Sequence, residues 1–333
     1  MIQDEIRTIL LREQDSFTDI LGQNKVKHQL KSALIAGRHL IILGPPGIGK
    51  TTLAKNVAKL LPETDGEYEG KKIRVKGLQR FVRVQGSPDL TAEDLLGDID
   101  PIKALKFGPL STEAFTPGKI FKANHGILFF DELNRAPEKL QNALLQALEE
   151  GKVTIGSYTV DFETNFILIA TMNPKDTNTE RLSQVLLDRF DMVYMNYPES
   201  IDVETEIVRK KGKNLGVEFP DDLLVYCVGF IHELRGNKNL EIVPSVRATL
   251  GLYERAQSNA LLHNKRKVDF QDVSAIMESV IAHRIKLKPS VRFLSDPVQF
   301  VKEEFSKYSE KKQRPGNTER ESFDKENLSD EDP

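Results

Sequence analysis

The feature that most constrains the fold of this chain is a glycine-rich octapeptide at residues 44–51, Gly-Pro-Pro-Gly-Ile-Gly-Lys-Thr. It follows an apolar run at 40–43 and opens a helical pattern at 52–61, which is the strand–loop–helix setting of a phosphate-binding loop. Glycines let backbone N–H groups turn toward a phosphate, and the start of the following helix adds a positive dipole end. In this setting Lys50 can reach the β- and γ-phosphates, and the Thr51 hydroxyl can coordinate Mg²⁺. The residues predicted to contact a nucleotide here are Gly44, Pro45, Pro46, Gly47, Ile48, Gly49, Lys50, Thr51 and Thr52.

A second segment, residues 127–132, ends a buried-strand run in two carboxylates. Asp131, at the strand end, is suited to hold the Mg²⁺ shell, and Glu132 is suited to orient and deprotonate a water molecule. Each segment alone has a simpler interpretation, a chance turn between strand and helix for the first and a strand entering a solvated turn for the second. Together they predict hydrolysis of ATP or GTP, because each supplies what the other lacks for a metal–phosphate site.

The composition limits the class of protein. The 333 residues are 39% hydrophobic and 29% charged with a net charge of −3, which fits a globular chain of two domains. No apolar run approaches the ~20 residues of a membrane span, and the first residues lack the basic and apolar regions of a secretory signal. The single cysteine, Cys227, is expected in the core. We therefore expect a cytoplasmic protein without a membrane span, and the slightly acidic balance argues against nucleic acid as a partner.

Strand-like and helical patterns alternate through the first 198 residues. The strand-like runs lie at 39–43, 80–86, 126–130, 166–171 and 192–195, and the helical patterns lie at 1–18, 24–36, 50–61, 88–96, 137–149 and 180–187. This alternation predicts an α/β domain built on a parallel sheet. Because ligands bind beyond the carboxyl ends of the strands in such sheets, residues 44–51 and 131–132 are expected at one edge.

Two segments interrupt the alternation. Residues 97–121 are punctuated by glycine and proline and are long for a simple connection, so an inserted hairpin or functional loop is predicted there. Phe107, Leu110 and Phe115 are candidate contacts within it, either for a partner or for the insert's own domain. Residues 151–163 alternate in polarity around Gly156-Ser157 and are predicted to form a second hairpin.

Strand patterns are absent from the sequence after Pro198. Helical patterns at 200–213, 221–234, 245–262 and 270–284 predict an all-α second domain. From Arg292 the sequence becomes polar and charged, so a disordered tail is predicted, preceded by a short helix at 297–308. The predicted boundaries are 1–198 for the α/β domain, 199–288 for the helical domain and 289–333 for the tail.

Three further residues fall at chemically useful places. Asn173 follows the fourth strand and is suited to help hold the attacking water, although a turn residue before Pro174 is the alternative. Arg189, between a helix and the fifth strand, is suited to act on the nucleotide of a neighbouring subunit, and its alternative is an ion pair with Asp188 or Asp191. Arg247 opens a helix of the second domain and is suited to reach the γ-phosphate, or else is a solvated charge at a helix start.

The chain resembles the AAA+ ATPases, and within them the MoxR and magnesium-chelatase small-subunit group, over about residues 15 to 288. The octapeptide and Phe130-Asp131-Glu132 are similar to the Walker A and Walker B motifs, and Ile20-Leu21-Gly22-Gln23 resembles the segment that packs near adenine. Residues 131–137 with 144–150 are similar to MoxR, whereas 97–105 with 117–128 are more similar to the chelatase subunit. The resemblance matches Asn173 to sensor 1, Arg189 to the arginine finger and Arg247 to sensor 2, and His283-Arg284 resembles the close of the lid domain.

The resemblance implies a parallel sheet in the order 5-1-4-3-2 with a C-terminal helical lid, binding ATP and Mg²⁺. It also implies a homo-oligomeric ring, usually a hexamer, in which the site is completed by the neighbouring subunit. MoxR-type proteins act on a protein client with a partner that carries a von Willebrand factor A domain. The alternatives that remain open are a magnesium-chelatase ATPase subunit, a nucleic-acid-directed motor and a scaffold that binds ATP without turnover. Glu132 argues against the scaffold, because such proteins often lack that base.

Overall fold

A computed structural model describes residues 2–12, 16–68, 71–108, 111–154, 161–174 and 182–313. The chain divides into two compact units, Met1–Glu199 and Ser200–Pro333. The first unit contains the parallel sheet and the second is mainly helical.

The first unit is built on five strands, β1 (His39–Leu43), β2 (Phe81–Gln85), β3 (Ile127–Asp131), β4 (Ile167–Met172) and β5 (Phe190–Tyr194). Their order across the sheet is β5-β1-β4-β3-β2, and every neighbouring pair is parallel. This confirms the predicted order 5-1-4-3-2. The three central strands are nearly continuous apolar runs, as expected for strands that are covered by helices on both faces.

Alternate residues of the strands enter two separate cores, because successive side chains of a strand point to opposite faces. Leu40 and Ile42 of β1 belong to the core on one face, whereas Ile41 and Leu43 belong to the core on the other. The first face is covered by α1 (Ile2–Arg12), α2 (Asn24–Ile35) and α3 (Lys50–Lys59). The second is covered by α4 (Ala92–Leu96), α6 (Lys119–Lys122), α7 (Glu138–Glu150) and α8 (Gln184–Leu187).

A buried ion pair fixes the first helix to the sheet domain. Arg80 is 5% exposed, and its two terminal nitrogens lie 2.6 and 2.7 Å from the two carboxylate oxygens of Glu5. Arg80 also donates to the carbonyl oxygens of His125 and Pro62, at 2.8 and 2.9 Å. Ile2, Ile6 and Leu10 of α1 enter the same core as α2 and α3, so α1 belongs to the fold of this unit.

The predicted insert is a strand pair with a helix between its strands. Gly97–Ile99 pairs antiparallel with Phe115–Pro117, and α5 (Pro101–Phe107) lies between them. Ile102 is 79% exposed and Leu105 is 91% exposed, whereas Phe115 packs on the core and meets Phe121 edge to face at 5.7 Å. For Phe115 the structure thus shows the second of the two predicted alternatives, a contact within the insert's own domain. Leu110 lies outside the described residues.

Two other strand pairs extend from the first unit. Lys152–Thr154 pairs with Asp161–Glu163, which confirms the stem of the hairpin predicted at 151–163, while residues 155–160 at its tip lie outside the described residues. Thr64–Tyr68 pairs with Lys71–Val75. This pair was not predicted from the sequence, because its charged and glycine residues lack the apolar alternation of a half-buried strand.

The second unit is formed mainly by long helices, α9 (Ile201–Lys211), α10 (Asp221–Gly236), α11 (Val246–Leu262) and α12 (Phe270–Ile281). Leu240–Ile242 and Lys286–Leu287 form a short antiparallel pair, and the short α13 (Pro289–Arg292) follows. Cys227 is buried in α10, and burial raises the pKa of its thiol to about 12, so the prediction of a core cysteine is confirmed.

A buried carboxylate joins three of these helices. Glu204 of α9 is fully buried and receives hydrogen bonds from Arg235 of α10 at 2.5 and 2.8 Å and from the Thr249 hydroxyl of α11. His232 lies 2.9 Å away on the same carboxylate. Burial alone raises the pKa of Glu204, but these hydrogen bonds and the charge of Arg235 outweigh it and lower the pKa to about 2.

The C-terminal part of the described chain is helical rather than disordered. Helix α14 (Pro297–Gln313) places Phe300, Val301, Phe305 and Tyr308 in the core of the second unit. Phe305 stacks on Phe270 at 5.4 Å. The short helix predicted at 297–308 is confirmed and extends to residue 313, so the disordered tail predicted from residue 289 is corrected for residues up to 313. Its charged composition concealed four apolar side chains on one helix face. Residues 314–333 lie outside the described residues.

Within the described ranges, no helix has the length and apolarity needed to cross a bilayer.

Candidate active site

The glycine-rich loop joins β1 to α3 at the carboxyl end of the sheet. Gly44 has a φ of 152°, and a Cβ at this position would overlap the carbonyl oxygen of Met195 just after β5. Gly49 immediately precedes α3 with a φ of 100°. The loop therefore has room only for a bare backbone at Gly44, which fits a cradle of N–H groups for phosphate.

Lys50 begins α3 and its amine stays at the loop. The Nζ atom donates to the carbonyl oxygens of Gly44 at 2.5 Å and Pro45 at 2.9 Å. Thr51 and Thr52 follow in the first turn of α3. The N-terminal N–H groups of this helix have no partner within the helix, so they and Lys50 together form a positively polarised end suited to an anion.

Asp131 ends β3, which lies two strands away from β1 across β4. Its two carboxylate oxygens accept hydrogen bonds from the Thr171 hydroxyl at 2.7 Å and from Arg83 at 2.6 Å. Thr171 lies in β4 and is fully buried, whereas Arg83 lies in β2 and its side chain is 52% exposed. The two neighbouring strands therefore fix the Asp131 carboxylate from either side.

Glu132 has an unusual backbone. Its φ and ψ are 56° and 54°, the left-handed region that residues other than glycine rarely adopt. Its N–H donates to the Thr171 hydroxyl at 2.9 Å. Its carboxylate accepts from Gln85, the last residue of β2, at 3.1 Å and lies 3.2 Å from Arg135. Strained backbone held by surrounding contacts is a mark of functional sites.

The segment predicted to lie near adenine packs beside the loop. The Ile20 side chain is 3.8 Å from the Cβ position of Gly49, and Gln23 donates to the carbonyl oxygen of Asn196 at 2.9 Å. Gly22, with a φ of 63°, makes the turn that leads into α2. Leu21 and Gly22 are therefore close in the fold to the start of α3.

Asn173 follows the last residue of β4 at the same sheet edge as Asp131. Arg189 precedes β5 and pairs with Glu149 near the end of α7, and its Nη1 donates to the Val185 carbonyl at 2.8 Å. The suggested ion pair of Arg189 with Asp188 or Asp191 is wrong: Asp191 instead lies 3.9 Å from Arg38. Arg189 is thus held by a carboxylate of its own subunit.

Arg247 lies in the first turn of α11 in the second unit and is exposed. Its N–H donates to the Ser245 hydroxyl, which caps the helix. The structure thus brings together the residues of the loop and of β3 and β4 within the first unit. Arg247 is carried by the other unit, and its contact with a phosphate remains a prediction.

Three residues of the site were not predicted from the sequence: Thr171, Gln85 and Arg83. None belongs to a motif, but each lies on a strand next to β3. Thr171 is a polar residue in an apolar strand, and Arg83 and Gln85 alternate along β2. Once the predicted strand order 5-1-4-3-2 is applied, β2 and β4 are the neighbours of β3, so polar residues at their carboxyl ends are the signal for these positions.

A phosphate-binding loop after β1, paired carboxylates at the end of β3 and the strand order β5-β1-β4-β3-β2 define a P-loop ATPase of AAA+ architecture. Residues 16–180 match the family model described as magnesium chelatase, subunit ChlI, and residues 239–303 match that of the AAA lid domain. The chain belongs to the AAA+ ATPases of the MoxR and magnesium-chelatase group. It is accordingly an ATP-hydrolysing enzyme.

Two relatives are similar to the chain over most of its length, and a solved structure shares its fold. The chain is 26% identical to the uncharacterized protein YeaC of Bacillus subtilis, covering 87% of this chain and 91% of YeaC. It is also 26% identical to the chaperone MoxR1 of Mycobacterium tuberculosis, covering 80% of this chain and 73% of MoxR1. The crystal structure of NtrX from Brucella abortus in complex with ADP has the same fold, with a TM-score of 0.51 and 17% identity over 87% of this chain and 63% of NtrX.

Proposed function

We propose that this protein is a Mg²⁺-dependent, ring-forming MoxR-type ATPase that drives chaperone-like remodelling, or metal-insertion maturation, of a protein client. The observation that carries the catalytic part is the arrangement of Asp131 and Glu132, whose different environments favour different roles. Thr171 and Arg83 hold the Asp131 carboxylate, and Gln85 holds that of Glu132. The proposed domains are 1–198 for nucleotide binding and a lid that begins at 199 and, beyond the expected boundary at 288, includes α14, whose apolar side chains lie in the same core.

The residues present suit a nucleotide with Mg²⁺. The glycine loop and the start of α3 provide N–H donors for the phosphates, and Lys50 provides the charge. Thr51 and Asp131 would hold the metal ion, which neutralises charge on the phosphates when bound. Two protein oxygens suit Mg²⁺, which is usually bound by one or two of them together with phosphate.

Glu132 is the proposed general base. Its acceptor oxygens are aimed by the bent backbone and by Gln85, so the carboxylate is positioned before a water arrives. Asn173, at the end of β4, is proposed to hold the same water. Leu21 and Gly22 are proposed to line the adenine side, because their segment packs beside Gly49.

Ring assembly is proposed because Arg189 is suited to act on the nucleotide of the next subunit, while Arg247 is suited to act from the lid. A hexamer is the proposed stoichiometry and the cytoplasm the proposed location. The exposed apolar face of α5, with Ile102 and Leu105, is the proposed surface for a client or partner. A protein with a von Willebrand factor A domain is the proposed partner.

The chaperone role is supported by the similarity to MoxR1, which is described as a chaperone. A second candidate is the ATPase subunit of a magnesium chelatase, favoured by the ChlI family model over residues 16–180. The two candidates share the same ATPase site and differ in the client.

The test compares Lys50→Ala with Glu132→Gln. We expect Lys50→Ala to lose nucleotide binding, because the substitution removes the positively charged amine that contacts the phosphates. Glu132→Gln should bind ATP normally but hydrolyse it about 10²–10⁴-fold more slowly, the range for removal of a general base. Binding of a fluorescent ATP analogue and release of phosphate separate the two steps. Near-normal turnover by a purified Glu132→Gln ring would contradict the assigned role of Glu132.

A further inference from the structure

Arg83 lies on the same face of the sheet as α3 and the Asp131 carboxylate. In the register of β2 with β3, Arg83 is opposite Phe129 and Gln85 is opposite Asp131. Phe129 enters the core that α3 covers. Because residues two apart in a strand share a face, Asp131 lies on this face as well, and so do Arg83 and Gln85 beside it. β2 is an edge strand of the sheet, and the Arg83 side chain is half-exposed.

The two oxygens of the Asp131 carboxylate are held in different ways. Oδ1 accepts from the hydroxyl of Thr171, which is fully buried. Oδ2 accepts from Nη2 of Arg83 at 2.6 Å, and the same nitrogen donates to Oε1 of Gln85 at 3.0 Å. The bond to Thr171 is closed to water, whereas the bond to Arg83 lies at the surface and can open. Oδ2 is therefore the oxygen that Asp131 can offer to another cation.

The pairing of Arg83 with Asp131 is strong enough to compete with a metal ion but too weak to exclude one. In an ion pair with this exposure, water screens the charges, and holding the long arginine side chain costs conformational freedom. A guanidinium and a divalent cation compete for the same oxygen, and their positive charges repel each other at short distance. Arg83 therefore lowers the affinity of the Asp131 carboxylate for a divalent cation by a modest factor.

We propose that Arg83 is a displaceable counterion of Asp131 and sets how tightly the site holds a divalent cation. The guanidinium neutralises and orients the carboxylate while no cation is bound, and it gives up Oδ2 to the ion that accompanies the nucleotide. Arg83 is thus a positioning residue that acts through Asp131. This rests on the proposed function, in which Asp131 helps to hold Mg²⁺.

The test is the metal dependence of nucleotide binding by the full chain. The dissociation constant of a fluorescent, non-hydrolysed ATP analogue is measured in EDTA and again in saturating Mg²⁺. Because the affinity of the free analogue for Mg²⁺ is the same for every variant, the ratio of the two constants reports how tightly the protein–nucleotide complex holds the ion.

Arg83→Gln should raise this ratio about fivefold, the upper end for a half-exposed ion pair. Arg83→Lys keeps the positive charge and should stay within about twofold of the wild-type ratio. Arg38→Gln is the matched control, because it also removes an arginine beside an aspartate of the first unit. Arg38 precedes β1, at the end of the sheet opposite to the glycine-rich loop, so this variant should keep the wild-type ratio.

An unchanged ratio in Arg83→Gln would overturn the inference, even if the analogue bound more weakly in both conditions, since that result would place Arg83 on the nucleotide itself. A lower ratio would also overturn it, because the guanidinium would then help to hold the ion. The ratio compares two affinities of one folded protein, so a loss of stability in a variant does not imitate the expected result.

A double-mutant cycle with Asp131→Asn tests whether Arg83 acts through Asp131. In the Asp131→Asn background, Arg83→Gln should change the ratio less than about twofold, and a further fivefold rise would overturn the inference. Failure of the proposed function looks different: Asp131→Asn would keep the wild-type ratio, so Asp131 would not hold the metal and the inference would fall with that assignment. A ratio that depends on Asp131 but ignores Arg83 would overturn this inference alone.

Discussion

Thr171 is the residue whose replacement should most directly separate ATP binding from ATP hydrolysis. Its hydroxyl accepts the Glu132 N–H at 2.9 Å and donates to Asp131 at 2.7 Å, and the residue has no exposed surface. Thr171→Val keeps the shape of the side chain but removes both hydrogen bonds. Because water cannot reach this position, neither partner gains a replacement.

The expected magnitude follows from these contacts. The orphaned Glu132 N–H and the lost bond to the Asp131 carboxylate each cost about 1–3 kcal/mol. The left-handed backbone of Glu132 stores a further strain of about 1–3 kcal/mol that the Thr171 hydroxyl helps to hold. Released from this clamp, the Glu132 carboxylate should move by a distance on the order of 1 Å, and turnover should fall about 10²-fold.

The assay is steady-state phosphate release, with kcat and KM determined separately, together with ATP binding. We expect kcat to fall and the affinity for ATP to change little, because the hydrogen bonds of the Thr171 hydroxyl go to Glu132 and Asp131 and not to Lys50 or the loop carbonyls. Thr171→Ser is the matched control: it keeps the hydroxyl and should retain most of the activity. A Thr171→Val protein that folds and hydrolyses ATP within about twofold of the Thr171→Ser rate would refute this account of Glu132 positioning.

Three other predictions follow from the structure. Arg189→Ala should assemble and bind ATP but hydrolyse it poorly, and mixing it with Lys50→Ala should restore part of the activity; no rescue despite confirmed subunit exchange would argue against a shared site. Glu204→Gln should destabilise the helical unit at pH 7 by about 3 kcal/mol, since the pKa falls from 4.5 to about 2. Because the pKa of Glu204 is lowered, its stabilising effect is present above pH 4.5 and is lost as the pH falls toward about 2. Hydrogen-exchange rates of α9–α11 in the variant and the wild type should therefore become equal near pH 2. A difference in rate that does not depend on pH would contradict this prediction. Leu105→Glu should leave ATP hydrolysis unchanged and the melting temperature within about 2 °C of the wild type, because Leu105 is 91% exposed. The same substitution should weaken capture of the client or partner. A larger fall in the melting temperature would show that α5 belongs to the core.

Only part of the insert can be replaced without loss of core contacts. Ala114 is fully buried and Phe115 packs on Phe121. Exchanging all of residues 103–116 for a short turn would therefore remove core contacts, and a loss of stability would say nothing about partners. Substitutions confined to α5 test the surface itself.

The sheet and its order were predictable because their signals are local. Each central strand is an apolar run, and the loop at 44–51 and the carboxylates at 131–132 follow directly from strand ends. The stem of the 151–163 hairpin was also predictable from its alternation. The strands at 64–68 and 71–75 were not, since their charged and glycine residues leave no apolar pattern. Helix α14 was predicted too short, because its charge concealed the four side chains that pack into the core.

The sequence by itself determined that this chain has a nucleotide loop, a carboxylate pair and a helical second part, because these depend on spacing along the chain. Only the tertiary structure decided how the carboxylates are held. Thr171, Gln85 and Arg83 come from strands far apart in sequence that become neighbours of β3 when the sheet forms. The pairing of Arg189 with Glu149 depends likewise on packing between elements. Such contacts form between residues that are far apart in sequence and become neighbours only when the chain folds, so no local pattern predicts them.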